Sequence, residues 1–314
     1  MPLLKDGYSA LLADLIKAHA KINLHLEVLN RRDDGYHNIF SLMASVALHD
    51  LLKLEECVVR ESTGGMDIAI AVRSRGGAYA GVIDAIPAHE NLIAKAATLF
   101  FERMKKNGKA VFSIEKNIPS GAGLGGGSAD AAAALKLLNA RYREFAEDEL
   151  AEIGTRIGAD VPFCLKGGFA ICRGIGEIIM PLPGKLRCHV LIVNNGIHVD
   201  TGQAYRSLGR NAEPAPGGES AMGKTTRLLT SAILSGSPGS LRDTAVNDFE
   251  EPVFRRHPEI GGLKDKLYAL GADYAVMTGS GSSVVALFAA GDRAEAARER
   301  LAKEYRDVTL TGFA

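Results

Sequence analysis

The chain has no tryptophan, no C-x-x-C pair among its four cysteines, no excess charge of either sign and no apolar run long enough to cross a bilayer. Each absence removes a class of function. Cysteines at 57, 164, 172 and 188, with eight scattered histidines, make neither a zinc ribbon nor a disulfide framework, and read as reduced thiols of a cytoplasmic protein. Lys+Arg and Asp+Glu both count 37, so no global field draws in nucleic acid or an acidic membrane, and any basic group that holds an anion must act locally. Internal repeats and coiled-coil heptads are also missing. From Met1 to Ile16, Lys5, Asp6 and Asp14 interrupt short apolar runs, which fits a surface extension better than a signal peptide.

What is present is glycine in one place. Pro119 to Asn139 reads P-S-G-A-G-L-G-G-G-S-A-D-A-A-A-A-L-K-L-L-N, five glycines in seven residues followed by a strong helix former. Glycine at 121, 123, 125, 126 and 127 lets successive N–H groups turn toward one ligand, and the unpaired amides of a helix start add partial positive charge. Ser128 reads as the N-cap. Phosphate is the expected guest, against a plain connector. A literal Walker A match, G-E-S-A-M-G-K-T at Gly218 to Thr225, competes for that role. It follows R-N-A-E-P-A-P-G-G, which cannot be a central strand, so Lys224 is read as a solvated loop or helix-start residue.

The 314 residues, 46% of them apolar, suit one large domain or two ordinary ones. Alternation from Ala18 to Val28 predicts a half-buried strand with Lys21 and Asn23 about 7 Å apart on its polar face. Arg31 to Gly35 is a turn that Tyr36 and His37 leave together. Strands are predicted at 40–47, 51–59, 111–114, 169–173, 177–180, 189–193, 274–277, 284–288 and 308–310. Helices are predicted at 91–104, after the glycine loop, and at 148–157 (closed by Gly158 at C′), 225–234, 263–270 and 293–305. Segments 64–77 and 209–223 read as loops, Asp160 sits in a tight junction, and T-G-S-G-S-S at 278–283 is a turn of small residues able to approach a ligand or another backbone closely. The sheet pattern restarts near 165–170, which gives domains 1–167 and 168–314.

Four pieces look like parts of one site: Lys21 with Asn23, the loop at 121–128, Asp160, and the turn at 278–283. In the order A-K-I-N-L-H-L, D-G-Y-H, P-S-G-A-G-L-G-G-G-S-A-D-A-A, G-A-D-V-P-F and T-G-S-G-S-S, the chain resembles the GHMP kinase superfamily from Ala18 onward. The resemblance implies a two-domain α+β fold, with an N-terminal ribosomal protein S5 domain 2-like part and a C-terminal ferredoxin-like part. It implies transfer of the γ-phosphate of ATP, with Mg²⁺, to an alcohol. K-I-N-L followed by D-G-Y-H is similar to the branch of the superfamily whose acceptor is the 2-hydroxyl of a cytidine diphosphate methylerythritol. It makes Asp160 the catalytic base and Lys21 its partner, a pairing that favours both carboxylate and developing alkoxide. It makes Pro119, Ser120, Gly121, Ala122, Gly123, Leu124, Gly125, Gly126, Gly127, Ser128 and Ala129 the ATP phosphate loop, with Ser128 a candidate phosphate or Mg²⁺ contact.

Asn91, Leu92 and Lys116 then line the adenosine pocket, although Leu92 is equally a core residue and Asp130 is equally a helix-dipole residue. Tyr36 stacks on the cytosine, His37 bonds its edge and Tyr205 is the second stacking ring, against a Tyr36 folded onto the sheet. Asn23 and Thr201 are polar substrate contacts, and the turn at 278–283 closes the cleft, against a tight hairpin with no ligand. Other small-alcohol kinases of homoserine or mevalonate type, or a non-catalytic nucleotide-binding regulator, are the alternatives. The expected partner is the small-molecule substrate, with no nucleic acid and no membrane, and the expected assembly is a monomer or homodimer.

Overall fold

The computed structural model describes residues 14–61, 67–87, 89–184, 186–210 and 218–314. The strands are β1 (Leu15–Arg31), β2 (His37–Glu61), β3 (Ile68–Gly76), β4 (Lys106–Glu115), β5 (Phe169–Gly174), β6 (Ile178–Pro181), β7 (His189–Asn194), β8 (Tyr274–Met277), β9 (Val284–Phe288) and β10 (Asp307–Thr311). The helices are α1 (Ala80–Ala85), α2 (Leu92–Met104), α3 (Gly126–Tyr142), α4 (Glu147–Ile157), α5 (Val161–Lys166), α6 (Thr201–Ser207), α7 (Gly218–Ser235), α8 (Glu250–Arg256), α9 (Pro258–Ala269) and α10 (Gly291–Leu301). Among the described residues no helix is long and apolar enough to cross a membrane.

Packing divides the chain into two units interleaved in sequence: residues to Ala20 with His49–Ser120 and Gly126–Lys166, and Lys21–Leu48 with Gly121–Gly125 and Gly167–Ala314. In the first, β4 pairs parallel with β3 and antiparallel with the second half of β2, from Leu51 to Glu61. Phe100 and Phe101 of α2, Phe112 of β4, and Leu135 and Leu138 of α3 fill the core. Ala129 and Ala131–Ala134 are all buried, because alanine lets α3 approach neighbours on several sides without side-chain bulk.

In the second unit β10, β7, β9 and β8 form an antiparallel sheet in that order. Separately, β5 pairs with Ile39–Ala44 of β2 and with β6. The Leu26 backbone bonds to both Val246 and Asp248, and the Tyr274 hydroxyl donates to the Leu24 carbonyl at 2.6 Å.

Several sequence expectations change. Strands 40–47 and 51–59 are one strand, β2, which continues through Leu48, His49 and Asp50 because the Asp50 carboxylate finds buried partners. Of the loop expected at 64–77, residues 62–66 lie outside the described residues and 68–76 form β3, paired along β4. In the loop expected at 209–223, residues 211–217 lie outside the described residues, and helix α7 has already begun at Gly218. Gly158 does close α4, but in extended backbone with φ −177° and not as a left-handed C′ residue.

Candidate active site

The glycine loop is the best-defined element of the site. Gly121, Gly123 and Gly125 have φ of +66°, +77° and +65°, and α3 begins immediately after, at Gly126. Two of these positions also lack room for a side chain. A Cβ on Gly123 would stand 2.2 Å from the Thr278 carbonyl oxygen, and one on Gly125 would stand 2.7 Å from Lys21 Cγ. The loop therefore lies directly on the Lys21 strand and the 278–283 turn, where only glycine permits the approach. Ser128 is the third residue of α3 and not its N-cap, because the helix starts two residues earlier. Its hydroxyl lies beside the backbone of Gly158.

In the second unit, Lys21 is buried and its ammonium donates to Asn23 Oδ1 at 2.7 Å, while its backbone N–H donates to the Leu124 carbonyl at 3.0 Å. Asn23 in turn donates from Nδ2 to Ser41 Oγ at 2.8 Å. Asn23 is only 2% exposed, with one bond at each end of its amide that fixes it between Lys21 and Ser41. The turn Thr278–Ser283 approaches the backbone of the glycine loop and of the Lys21 strand closely. Thr278 Oγ1 accepts from Asn23 N at 2.9 Å and donates to the Gly123 carbonyl at 3.3 Å, and Ser283 N donates to the Ala122 carbonyl. Thr278, Ser282 and Ser283 are fully buried, and the turn supports the loop from beneath.

His37 and Tyr205 stack with centroids 4.9 Å apart and planes 25° apart, and Tyr205 meets Phe249 edge-on at 4.8 Å. Tyr36 is 59% exposed. The ring facing Tyr205 is thus His37, where Tyr36 was expected across a bound base. Burial, with Arg31 nearby, lowers the His37 pKa. Thr201, the first residue of α6, shares a 2.8 Å hydrogen bond with Ser280.

In the first unit, Asp160 immediately precedes α5 and its carbonyl accepts from Cys164 N at 3.1 Å. Asn91 is the N-cap of α2, with Oδ1 accepting from Ile93 N at 3.0 Å and Ala94 N at 3.4 Å, which accounts for its burial without a nucleotide. Lys116 is not an open pocket residue. Its ammonium is 5% exposed and lies between the carboxylates of Asp50 and Asp130, 2.7 Å from the latter. Asp130 lies beyond the first turn of α3, so the helix dipole does not explain it; Lys116 does. Burial pushes the Asp130 pKa up to about 8 despite Lys116, with Asp50 adding to the rise, and its Oδ1 has no hydrogen-bond partner. The Lys116 pKa is raised: burial opposes its charge, and the two carboxylates outweigh burial.

Sequence reasoning missed three contributors. Asp50 looked like a strand break. Asn247, 5% exposed, donates to the carbonyls of Met277 (2.6 Å) and Gly279 (2.8 Å) and so pins the supporting turn. His198 stands beside Gly121, with Nδ1 3.6 Å from where a Cβ would be.

Comparison with known proteins identifies the family. The GHMP kinases N terminal domain matches residues 91–168 and the GHMP kinases C terminal domain matches 229–307. A 4-diphosphocytidyl-2-C-methyl-D-erythritol kinase of Acetivibrio thermocellus is 36% identical over 277 residues, 87% of this chain and 89% of its own. The chain belongs to this family of GHMP kinases. Within the family, the Caldicellulosiruptor bescii kinase is 37% identical over 94% of this chain and 96% of its own. A crystal structure of 4-(cytidine 5'-diphospho)-2C-methyl-D-erythritol kinase superposes with a TM-score of 0.71 at 32% identity, covering 96% of this chain and 99% of that one. The two-sheet architecture is thus the α+β GHMP kinase fold.

Proposed function

We propose that this enzyme transfers the γ-phosphate of ATP to the 2-hydroxyl of 4-diphosphocytidyl-2-C-methyl-D-erythritol, a step of non-mevalonate isoprenoid synthesis. The observation that carries the reading is near-full-length similarity, at 36–37% identity, to relatives bearing that substrate's name. The positive-φ glycines ahead of a 17-residue helix support a phosphate grip.

In the mechanism, the amides of 121–128 receive the β- and γ-phosphates, and Lys21, aimed by Asn23, offers its charge to the transferring group. The 2-hydroxyl oxygen attacks γ-phosphorus, its proton passes to the Asp160 carboxylate, and the γ-phosphorus–oxygen bond to ADP breaks. Tyr36 and Tyr205 supply stacking surfaces for cytosine, His37 a hydrogen bond to its edge, and Thr201 a polar contact. Among the described residues no three His, Cys, Asp or Glu side chains group to hold a metal. Ser128 is the residue that would hold Mg²⁺. Bound there, Mg²⁺ would neutralise phosphate charge. Residues 1–167 carry ATP binding and catalysis in this reading, 168–314 form the C-terminal domain, and the enzyme works in the cytoplasm as a monomer or homodimer.

The test is turnover: purified protein, Mg-ATP and the cytidyl substrate should yield ADP and a new phosphomonoester, with homoserine and mevalonate inert. Turnover of a control in place of the cytidyl substrate, or of none, would overturn the reading.

A further inference from the structure

The glycine loop is gripped at both ends by one buried ion cluster. Asp50 is completely buried, and its Oδ1 accepts from the backbone N–H groups of Asn117 at 2.5 Å and Ile118 at 2.8 Å, the two residues before Pro119. Its Oδ2 binds the Lys116 ammonium. That ammonium also binds Asp130 Oδ2 on α3, and a Cβ on Gly126 would stand 3.1 Å from Lys116 Nζ. Entry to the loop at 116–118 and exit at 126–130 thus converge on one carboxylate of β2. A carboxylate accepting two adjacent amides fixes the direction of the chain there. The cluster is nearly closed to solvent, so water does not replace a lost bond.

We infer that Asp50 is a positioning residue for the phosphate donor, holding the two ends of the glycine loop at the separation that lets its amides meet the ATP phosphates. It acts through Lys116 and the backbone and never touches nucleotide. Nothing else in the reaction requires a buried carboxylate at this place, and Asp50 takes no part in binding the acceptor. The near-neutral Asp130, whose proton spares the cluster a second uncompensated charge, leaves Asp50 and Lys116 as the working ion pair.

The inference rests on the loop being the ATP site, so its test reads ATP binding without the acceptor. Asp50→Asn keeps the shape of the side chain but replaces one acceptor oxygen by a donor. Titration of Mg-ATP should show affinity weakened tenfold or more, with KM for ATP rising in parallel. The KM for the cytidyl substrate and kcat at saturating ATP should stay within about threefold. A purely structural role would instead lower the folded fraction and leave the ATP affinity of that fraction unchanged, which overturns the inference. Should Asp50→Asn fail to fold, amide exchange in the wild-type protein decides. The N–H groups of Asn117 and Ile118 should exchange slowly with and without ATP, and exchange as fast as that of exposed turn amides overturns the anchoring. Wild-type protein that binds ATP yet ignores the cytidyl substrate would sink the proposed reaction while leaving Asp50 measurable.

Discussion

Residues 119–128 and 218–225 are both rich in small residues and both read as phosphate loops, yet they are built on different backbones. The first is a loop with three glycines at positive φ that ends as α3 begins, and the second lies wholly inside helix α7, with Lys224 exposed on its surface. Past its first turn a helix spends its amides on carbonyls one turn back, so the lysine end of the match, 222–225, has none to offer an anion. A phosphate motif is a path of the backbone, and its letters matter only where they permit that path. The first stretch is also held by partners distant in sequence: Thr278 and Lys21 against its middle, Asp50 and Lys116 at its ends.

This contrast can be broken by substitution. Neither stretch supplies the proposed base, so Asp160→Ala should lower kcat by at least about 10²-fold, the range for a positioned acid–base group, and leave ATP binding intact. A near wild-type rate in steady-state assays would remove Asp160 from the mechanism. Within the loop, Gly123→Ala should cost roughly 2–3 kcal/mol of stability, because left-handed strain adds to collision with the Thr278 carbonyl. Gly121→Ala has similar φ but meets only the His198 ring at ordinary distance, so about 1 kcal/mol is expected. Equal losses in denaturant titrations would show that space at Gly123 is irrelevant.

The anchoring cluster gives a smaller, pH-dependent effect. The folded pKa of Asp130 is raised, so the stability it contributes is complete below the ordinary carboxylate pKa of about 4 and is lost as pH rises toward about 8. Asp130→Asn has no such proton to lose. Thermal melts at pH 5, 7 and 9 should therefore shift in favour of the variant as pH increases, and parallel melting curves would contradict a protonated Asp130. Smallest of all, Lys224→Ala should change activity by no more than a few-fold. Loss of ATP binding there would restore the Walker reading.

How much of this the residues disclose depends on what kind of constraint holds each part. Left-handed backbone and close approach leave glycine behind, so the loop at 121–127 and the small-residue turn at 278–283 are legible in the letters. Alternation discloses β1 and the spacing of Lys21 and Asn23. A partner remote in the chain leaves no local mark: Asp50 lies within a strand-like run and resembles an interruption, and only folding brings Lys116 and Asp130 to it. The supporting role of Thr278 and the capping role of Asn91 are hidden for the same reason, since a polar residue in a turn or before a helix suits several tasks. β3 escapes the reading because the exposed Ala69 and Ala71 are apolar like Ile68, Ile70 and Val72 beside them, so its alternating burial leaves little contrast in polarity.

Amide hydrogen exchange with and without a non-hydrolysable ATP analogue decides in one experiment whether the loop at 119–128 or the match at 218–225 grips the phosphates. New protection is expected at 121–128 on nucleotide binding and none at 218–225, whereas protection at 218–225 with 121–128 unchanged would assign the phosphates to the helix and not to the loop.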